Sequence, residues 1–567
     1  MTHYSEQAES LARHLAIAPF GEALAAAGAV SLDEDDVAAI LDQAARFAAS
    51  ALDGIGDALD AEGARLADGR VRTCARHQAA WRAFCEAGWL TLALPEPHGQ
   101  HLPLPVVAAC EELFNRASAA FYMLSTSTRC GAELLLQCAP EAIAAQWVPR
   151  LAAGEWTATI CISEPDAGSD VGRIRTRAVQ RDGVWRVTGE KCWISFGDHD
   201  LGTRIGHLML ARTSDDVGVR GLGLFLVPDS WDDASNGVVC RRIEEKLGLH
   251  GSPTCVLGFE DAQGVLIGAP GEGLRQMFQM MLQMRLGCGA QGIGVAAAAF
   301  DTALGYAAER RQGGAPDAPP VALTHHADIQ RQLLEMAASV ELGRALNIAC
   351  AQVMELSRCA SGDDDTDWSA LAQMLLPIVK DGAAWAAVNV SSQAIQVLGG
   401  AGYTREWPVE RLLRDARVFP IFEGTTGIQA QDMVHRRVWR DRRAGLDLLL
   451  RFGREEAALS GDGGALSRAL DLLDAAASHL EGLRSDPVQA DAGAVAFLDL
   501  CRLCAHGWLA QRIVRLAGDA GPAAQRMSAA AHFFLAQLAP RAELASSLAQ
   551  RGAAPLAHFA KLMANRS

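Results

Sequence analysis

The segment Trp156-Thr-Ala-Thr-Ile-Cys-Ile162, followed directly by Ser163-Glu-Pro-Asp-Ala-Gly-Ser-Asp170, decides the fold class. In the first part, β-forming residues alternate with polar ones, which predicts a strand. Pro and Gly in the second part predict a tight loop where the strand ends. A helical N-terminal region gives way to short strands at this point.

Four more segments of the same texture follow, at residues 184–188, 207–211, 222–227 and 254–259. Arg181-Asp182-Gly183 lies between two of the predicted strands and predicts a hairpin turn. Several short strands at close spacing favour an antiparallel barrel or sandwich. We therefore expect a small β domain from about residue 156 to residue 270.

Helical patterns flank this β domain on both sides. Apolar residues recur every three or four positions in the N-terminal part, where we expect helices at 78–88 and 104–124. The Gly/Pro-rich segment 313–320 predicts an exposed loop, and a break at 461–464 separates a last helical unit. The expected fold is mainly α with a central antiparallel β domain. Its predicted domains are 1–155, 156–270, 271–445 and 446–567.

The composition excludes several classes of function. The chain has 567 residues and a formal net charge of −16, which disfavours a nucleic-acid partner. The start of the chain lacks a signal-peptide pattern, and the sequence has no long apolar run, so we expect a cytoplasmic protein without integral membrane association. Cys501 and Cys504 form a lone C-x-x-C in an apolar stretch; we expect buried free thiols and no metal site.

Two segments of the β domain could carry chemistry. Ser163, Ser169 and the amides of their loop offer hydrogen-bond donors to an anionic or carbonyl group, although a simple strand-ending loop is the alternative. Trp193-Ile194-Ser195 places an indole at a strand end beside a hydroxyl, where it could pack on a flat cofactor ring. A core tryptophan is the alternative there.

A third candidate is Glu423, in the segment Ile421-Phe-Glu-Gly-Thr-Thr-Gly427. It lies between Phe422 and Gly424, and apolar surroundings are expected to raise the pKa of a carboxylate. A raised pKa is what a base for a carbon acid requires. An ordinary glutamate near a helix start is the alternative. The sequence contains no P-loop, and no G-x-G-x-x-G follows a strand into a helix.

Five motifs together carry a family resemblance: residues 163–170 (SEPDAGSD), 189–195 (GEKCWIS), 245–255 (EKLGLHGSPTC), 396–403 (QVLGGAGY) and 422–429 (FEGTTGIQ). In this order and spacing they resemble the acyl-CoA dehydrogenase family over about residues 35–445. The chain is most similar to the large branch with an added C-terminal helical domain, which includes 3-methylmercaptopropionyl-CoA and broad-range fatty acyl-CoA dehydrogenases. The resemblance implies a helical domain, a β domain and a four-helix bundle, with FAD between the last two and partly against a second subunit.

The resemblance also implies site residues. FAD contacts are expected from Ile160, Ile162, Ser163, Ser169, Trp193, Ile194, Ser195, Thr425 and Gly427, and across the subunit boundary from Arg310, Gln312, Gln396, Gly399 and Gly400. Acyl-CoA contacts are expected from Ser169, Leu282, Arg285, Phe422 and Gly424. The sequence departs from the family pattern in two places, since Gly313 replaces a Phe and Gly427 replaces a frequent Gln.

Glu423 falls on the catalytic glutamate of the family. Some members carry the base at the position of Met284 instead, so Glu423 has no rival here. The implied reaction is dehydrogenation of acyl-CoA to trans-2-enoyl-CoA by a homodimer, with electrons passed to electron-transfer flavoprotein. The alternatives are a monooxygenase of the same fold and the alkylation-response relative that binds DNA. The nearly balanced charge of the C-terminal domain disfavours the latter.

Overall fold

The computed structural model describes residues 3–28, 32–232, 234–359, 366–461 and 464–563. The chain forms two compact units: unit 1 comprises Met1–Arg46, Leu104–Arg116 and Cys288–Ser567, and unit 2 comprises Phe47–Pro103 and Ala117–Gly287. These units do not follow the four predicted domain ranges, which remain predictions.

The helices are α1 (His3–Ala16), α2 (Gly21–Ala26), α3 (Glu34–Phe47), α4 (Ile55–Glu62), α5 (Ala75–Glu86), α6 (Leu104–Ala117), α7 (Ala119–Cys138), α8 (Glu141–Ala152), α9 (Gly273–Glu309), α10 (Ala327–Cys359), α11 (Trp368–Leu398), α12 (Val409–Ala416), α13 (Thr426–Gln431), α14 (Ala444–Leu459), α15 (Gly464–Gly482), α16 (Pro487–Leu516), α17 (Pro522–Ala549) and α18 (Phe559–Met563). The strands are β1 (Arg65–Ala67), β2 (Arg70–Arg72), β3 (Trp156–Cys161), β4 (Arg177–Arg181), β5 (Val184–Ser195), β6 (Arg204–Arg212), β7 (Leu222–Pro228), β8 (Ser230–Trp231), β9 (Ala234–Ser235), β10 (Val238–Ile243) and β11 (Thr254–Ile267). A mainly α fold with a central β domain is confirmed.

The main sheet of unit 2 runs in the order β10-β11-β5-β4-β6-β3, with β7 paired to both β11 and β6. Most of its ladders are antiparallel, as expected, but β3 pairs with β6 in parallel, with Trp156 opposite Arg204. Parallel neighbours need a long connection, and the β4–β5 hairpin provides it. The sheet is therefore mixed, which the texture of the separate strands did not reveal.

The hairpin predicted at Arg181-Asp182-Gly183 is confirmed. It joins β4 to β5, which pair antiparallel, and Asp182 and Gly183 have φ angles of 51° and 79°. Positive φ at both central residues is typical of the tight turn that matches strand twist.

The helix expected over 104–124 is instead two helices, α6 and α7. Ser118 has an extended backbone between them, and its side chain accepts a hydrogen bond from the Phe121 amide at 3.2 Å. Serine is a preferred N-cap, because its hydroxyl satisfies an amide that has no partner inside the helix. The apolar pattern continues across Ser118, so the pattern alone concealed the break.

Helix α7 packs against β3 in the core of unit 2. A Cβ atom at Gly131 would lie 2.7 Å from the Ala158 Cβ atom. Any larger residue at position 131 would therefore push α7 away from the strand that leads into the loop at 163–170.

A buried ionic cluster joins α1, α6 and α10 in unit 1. The Arg344 guanidinium lies 2.6 Å from a Glu112 carboxylate oxygen and 3.0 Å from one of Glu341, while His14 lies 2.8 Å from Glu341. Burial alone would raise the pKa of Glu341, but Arg344 and Arg526 hold it well below its usual range. Because removal of one partner would leave a charge stranded away from water, these helices are fixed to one another.

Two smaller predictions concern unit 1. The segment at 313–320 is exposed, as expected, and Cys501 and Cys504 lie buried on α16. The break predicted at 461–464 includes residues 462 and 463, which lie outside the described residues. Within the described parts of the chain, no helix has both the length and the apolar composition needed to cross a membrane.

Three buried histidines make unit 2 sensitive to acid. Burial lowers the pKa of His77 from 6.5 to about 4 and the pKa values of His199 and His207 to about 3. The unfolded chain therefore binds more protons than the folded one below pH 6.5. The contribution of the neutral His77 to the free energy of unfolding is fully present above that value and is lost as the pH falls towards about 4.

We predict that His77→Phe reduces this acid sensitivity. The His77 ring lies 5.7 Å from the rings of Phe121 and Phe196, so a phenyl group suits the site. The urea midpoint of unfolding, compared at about pH 7.5 and about pH 5, should fall less for this variant than for the wild type. In His98→Gln, which changes a less buried histidine, the urea midpoint should fall as much as in the wild type. Equal falls for all three proteins would contradict the prediction.

Candidate active site

The loop at 163–170 of unit 2 is held by its own backbone and by β5. Glu164 and Ala167 exchange two backbone hydrogen bonds of 3.0 Å, and the Cys192 amide donates to the Ser163 carbonyl at 3.0 Å. Ser163 is half-buried, and Ser169 is exposed. The loop is therefore attached to the strand that carries Trp193 and Ser195.

A buried ion pair, Lys191–Glu164, fixes the same loop. The Lys191 side chain is 0% exposed, and its Nζ donates to Glu164 Oε1 at 2.8 Å and to the Ile162 carbonyl at 3.0 Å. Glu164 also accepts from the amides of Arg175 and Thr176, at 2.7 and 3.1 Å. Both residues belong to quoted motifs, but sequence reasoning assigned them no role.

The electrostatics of this pair follow from its burial. Burial lowers the pKa of Lys191, and Glu164 opposes that shift. Burial alone would raise the pKa of Glu164, but the Lys191 ammonium and the hydrogen bonds bring it below the usual value. Glu164 is therefore ionised at neutral pH and cannot act as a proton donor there.

Trp193 is not a core tryptophan. Its side chain is 63% exposed, and its backbone has a φ of 62°, a conformation that disfavours residues with a Cβ atom. The neighbouring Ile194 is only 2% exposed and packs in the core of the sheet. Any ligand contact at position 194 therefore goes through the backbone, whereas Trp193 and the half-buried Ser195 present their side chains.

In unit 2, the predicted FAD contacts Ile160 and Ile162 and the predicted acyl-CoA segment at 282–285 lie at one apolar core. Ile160, Ile162 and Met284 all contact the same apolar cluster. Leu282 is half-buried on α9, and Arg285 is 8% exposed. Within the described residues, the buried Nε atom of Arg285 has no hydrogen-bond partner. Buried donors in folded proteins usually have a partner, so the Nε atom of Arg285 calls for one beyond the side chains around it, such as a water molecule or a ligand atom.

The turn that carries Glu423 lies in unit 1, between α12 and α13. Glu423 is half-buried with a φ of 53°, and Gly424 follows with a φ of 94°. The buried Gln429 donates from Nε2 to the Glu423 carbonyl at 2.9 Å. A Cβ atom at Gly424 would lie 2.7 Å from that same Nε2 atom. Position 424 therefore needs glycine both for its backbone conformation and for space.

Helix α11 holds both sides of this turn. Lys380 is 0% exposed and donates from Nζ to the carbonyls of Phe419 and Gly424, at 3.0 and 2.6 Å. The Thr426 hydroxyl donates to Asp381 at 2.7 Å and accepts from the Trp385 indole at 2.9 Å. Sequence reasoning missed Lys380, although a single lysine directly after the apolar run 375–379 was a signal.

The other predicted residues of unit 1 are mostly exposed. Gln396, Gly399, Gly400, Arg310, Gln312 and Gly427 all have accessible positions. Among the described residues, a Cβ atom at Gly399 or Gly400 would meet nothing within 4 Å, so another molecule can approach this backbone closely. The Tyr306 and Trp407 rings, 5.2 Å apart, connect the α9 end beside Arg310 to the segment after residue 403.

Thr425 already has a structural role. Its side chain accepts a hydrogen bond from the Ile428 amide at 3.4 Å and caps α13. The hydroxyl can still donate to a ligand, because Thr425 is exposed and a hydroxyl both donates and accepts.

Comparison with known proteins identifies the class. Models of the acyl-CoA dehydrogenase family match the chain over the N-terminal domain at residues 34–155, the middle domain at 159–262 and the C-terminal domain at 271–438. The 3-methylmercaptopropionyl-CoA dehydrogenase of Ruegeria pomeroyi is 38% identical over 521 residues, which cover 87% of each chain. The broad-specificity linear acyl-CoA dehydrogenase FadE5 of Mycobacterium tuberculosis is 33% identical and covers 81% of this chain and 82% of its own.

A solved structure supports the fold. Caenorhabditis elegans ACDH-11, in complex with C11-CoA, superposes with a TM-score of 0.77 at 22% identity, covering 92% of this chain and 89% of that one. Together the fold and these matches define an FAD-dependent oxidoreductase that acts on a CH–CH group. The chain belongs to the acyl-CoA dehydrogenase family, and the resemblance found in the sequence is confirmed.

We predict that Lys191→Met destabilises unit 2 by about 3–5 kcal/mol, because it leaves Glu164 buried without its cation. The loop at 163–170 should loosen, so the purified protein should carry less FAD per chain. Urea denaturation and the flavin absorbance of the purified protein measure the two effects. The double variant with Glu164→Gln removes the stranded charge and should recover part of the stability. Normal FAD content in the single variant would contradict the structural role given to Lys191.

Proposed function

We propose that this protein dehydrogenates acyl-CoA thioesters between Cα and Cβ to trans-2-enoyl-CoA, with Glu423 as the base. The observation that carries the proposal is a glutamate fixed on a left-handed turn, bonded through its carbonyl to Gln429 and flanked by Phe422 and Gly424. Glu423 removes the α-proton as a hydride leaves Cβ, so the substrate loses two hydrogens and gains one carbon–carbon double bond. The thioester carbonyl makes the α-hydrogen more acidic, because it stabilises the negative charge that develops when the proton is removed.

The residues present fit FAD in each unit taken separately. In unit 2, Trp193 offers an exposed flat ring, and Ser163, Ser169 and Ser195 offer hydroxyl donors. In unit 1, Gly399 and Gly400 leave open space, and Arg310 is an exposed cation suited to a pyrophosphate. Bound FAD supplies the acceptor for the hydride. The roles of Ile160, Ile162, Gln312, Gln396, Thr425 and Gly427 belong to the same proposal.

The substrate side of the proposal draws on residues of each unit, taken separately. Leu282 provides apolar surface, and the buried Arg285 provides an Nε donor that has no hydrogen-bond partner among the described residues. Ser169, Phe422 and Gly424 complete the proposed acyl-CoA contacts. The names of the two relatives refer to 3-methylmercaptopropionyl-CoA and to linear acyl-CoA, so both classes belong in the first substrate panel. Electron-transfer flavoprotein as acceptor, a homodimer and a cytoplasmic location are further parts of the proposal.

We predict that Glu423→Gln retains FAD and slows flavin reduction by acyl-CoA by about 10²–10⁴-fold, because glutamine cannot accept the α-proton. Anaerobic mixing with 3-methylmercaptopropionyl-CoA, butyryl-CoA and palmitoyl-CoA, followed by flavin absorbance, measures the rate. The substitution removes a charge and keeps the size of the side chain, so the turn should persist.

The matched control is Glu406→Gln, an exposed carboxylate in the same part of the chain. In this variant, acyl-CoA should reduce the flavin as fast as in the wild type. Undiminished reduction in Glu423→Gln would exclude Glu423 as the base. A yellow wild-type protein that no acyl-CoA reduces would favour the monooxygenase alternative.

A further inference from the structure

We propose that Lys380 is a positioning residue, which holds Glu423 where its carboxylate can reach the substrate α-carbon. The inference rests on the proposed role of Glu423 as the base. Nothing in the family motifs of the sequence directed attention to Lys380, and the structure alone connects it to the turn. We call residues 419–426 the base loop.

Lys380 is removed from water. Its side chain is 0% exposed, and an ammonium removed from water requires oxygen acceptors in fixed positions. Two of these acceptors are the carbonyls of Phe419 and Gly424, at 3.0 and 2.6 Å. They lie on either side of Glu423 in the chain. The ammonium thus fixes the beginning and the end of the segment that carries the base.

The base loop has a backbone conformation that needs support. Glu423 has a φ of 53°, which a residue with a side chain adopts only when its surroundings enforce it. Gln429 enforces it from one side through the Glu423 carbonyl. Lys380 enforces it from the other side through the carbonyl of the next residue, Gly424. Without Lys380, the turn keeps only one of these two restraints.

The base loop has a second attachment to the same helix. Asp381 and Trp385 both hydrogen-bond to the Thr426 hydroxyl, at 2.7 and 2.9 Å. Lys380, Asp381 and Trp385 lie on two consecutive turns of α11, so one rigid helix holds the base loop at three points. Aromatic stacking of Phe419 on Phe422, with centroids 5.7 Å apart, fills the interior of the loop.

The consequence is a selective effect on the chemical step. A base must lie within hydrogen-bond distance of the proton it removes, and a displacement of about 1 Å can cost about 100-fold in rate. Among the proposed acyl-CoA contacts, Ser169, Leu282 and Arg285 lie in unit 2, whereas Phe422 and Gly424 belong to the base loop that Lys380 holds. Loss of Lys380 should therefore slow reduction far more than it weakens substrate binding.

The test compares Lys380→Met and Lys380→Arg with the wild-type holoenzyme. Methionine keeps most of the apolar length and removes both hydrogen bonds. We expect Lys380→Met to retain FAD and to bind acyl-CoA with a dissociation constant within about threefold of the wild type, while the limiting reduction rate falls about 100-fold. Arginine can still donate to carbonyl oxygens, so Lys380→Arg should recover part of the rate. An unchanged reduction rate in Lys380→Met would overturn the proposal.

Two controls separate positioning from general stability. Leu371→Ala, at a fully buried residue on the same helix and about 13 Å from Lys380 along its axis, lowers stability without touching the base loop. It should keep the wild-type reduction rate; a fall equal to that of Lys380→Met would overturn the proposal. In a Glu423→Gln background, Lys380→Met should cause no further loss, because the residue it positions is already disabled.

If Lys380→Met does not fold, Lys380→Arg decides the question. It keeps a buried cation but cannot place its donors at both carbonyls as the ammonium does, so the reduction rate should still fall by about tenfold, with affinity nearly unchanged. An unchanged rate in Lys380→Arg would overturn the proposal. Failure of the base role is recognised separately: Glu423→Gln would then reduce normally, whatever the Lys380 variants do.

Discussion

The desolvation of a lysine ammonium is the constraint on which both halves of the proposed chemistry depend. Lys191 and Lys380 are each 0% exposed, and a cation removed from water must be surrounded by oxygen atoms in fixed places. Around Lys191 these oxygens belong to Glu164 and the Ile162 carbonyl, at the loop of 163–170. Around Lys380 they are the carbonyls of Phe419 and Gly424. Each ammonium therefore organises a loop that has little regular structure of its own.

Local chemistry explains what the sequence could predict. Alternating strands, the turn at Asp182-Gly183 and the positions of Glu423 and Trp193 depend on residues within a few positions of each other. Lys380 lies 39 and 44 residues from the carbonyls that it binds, and no short motif encodes such a distance. A pattern shows that a residue is buried or polar, but only the packed chain shows which groups satisfy it.

The departures from prediction have the same origin. The apolar pattern across 104–124 describes one continuous buried face, whereas the hydroxyl of Ser118 ends one helix and begins another. The parallel pairing of β3 with β6 depends on the path of the chain between them, not on the composition of either strand. At Trp193-Ile194-Ser195 the motif was found, but strand alternation sends Ile194 inward and leaves the outer surface to its neighbours.

The left-handed backbone at Trp193 has a consequence for how this enzyme can change. A residue with a Cβ atom at a φ of 62° is disfavoured relative to glycine, so selection for higher stability would favour replacing Trp193 with glycine. Such a replacement would also remove the exposed aromatic surface that we propose for the cofactor contact. Engineering of the chain for stability should therefore leave position 193 alone.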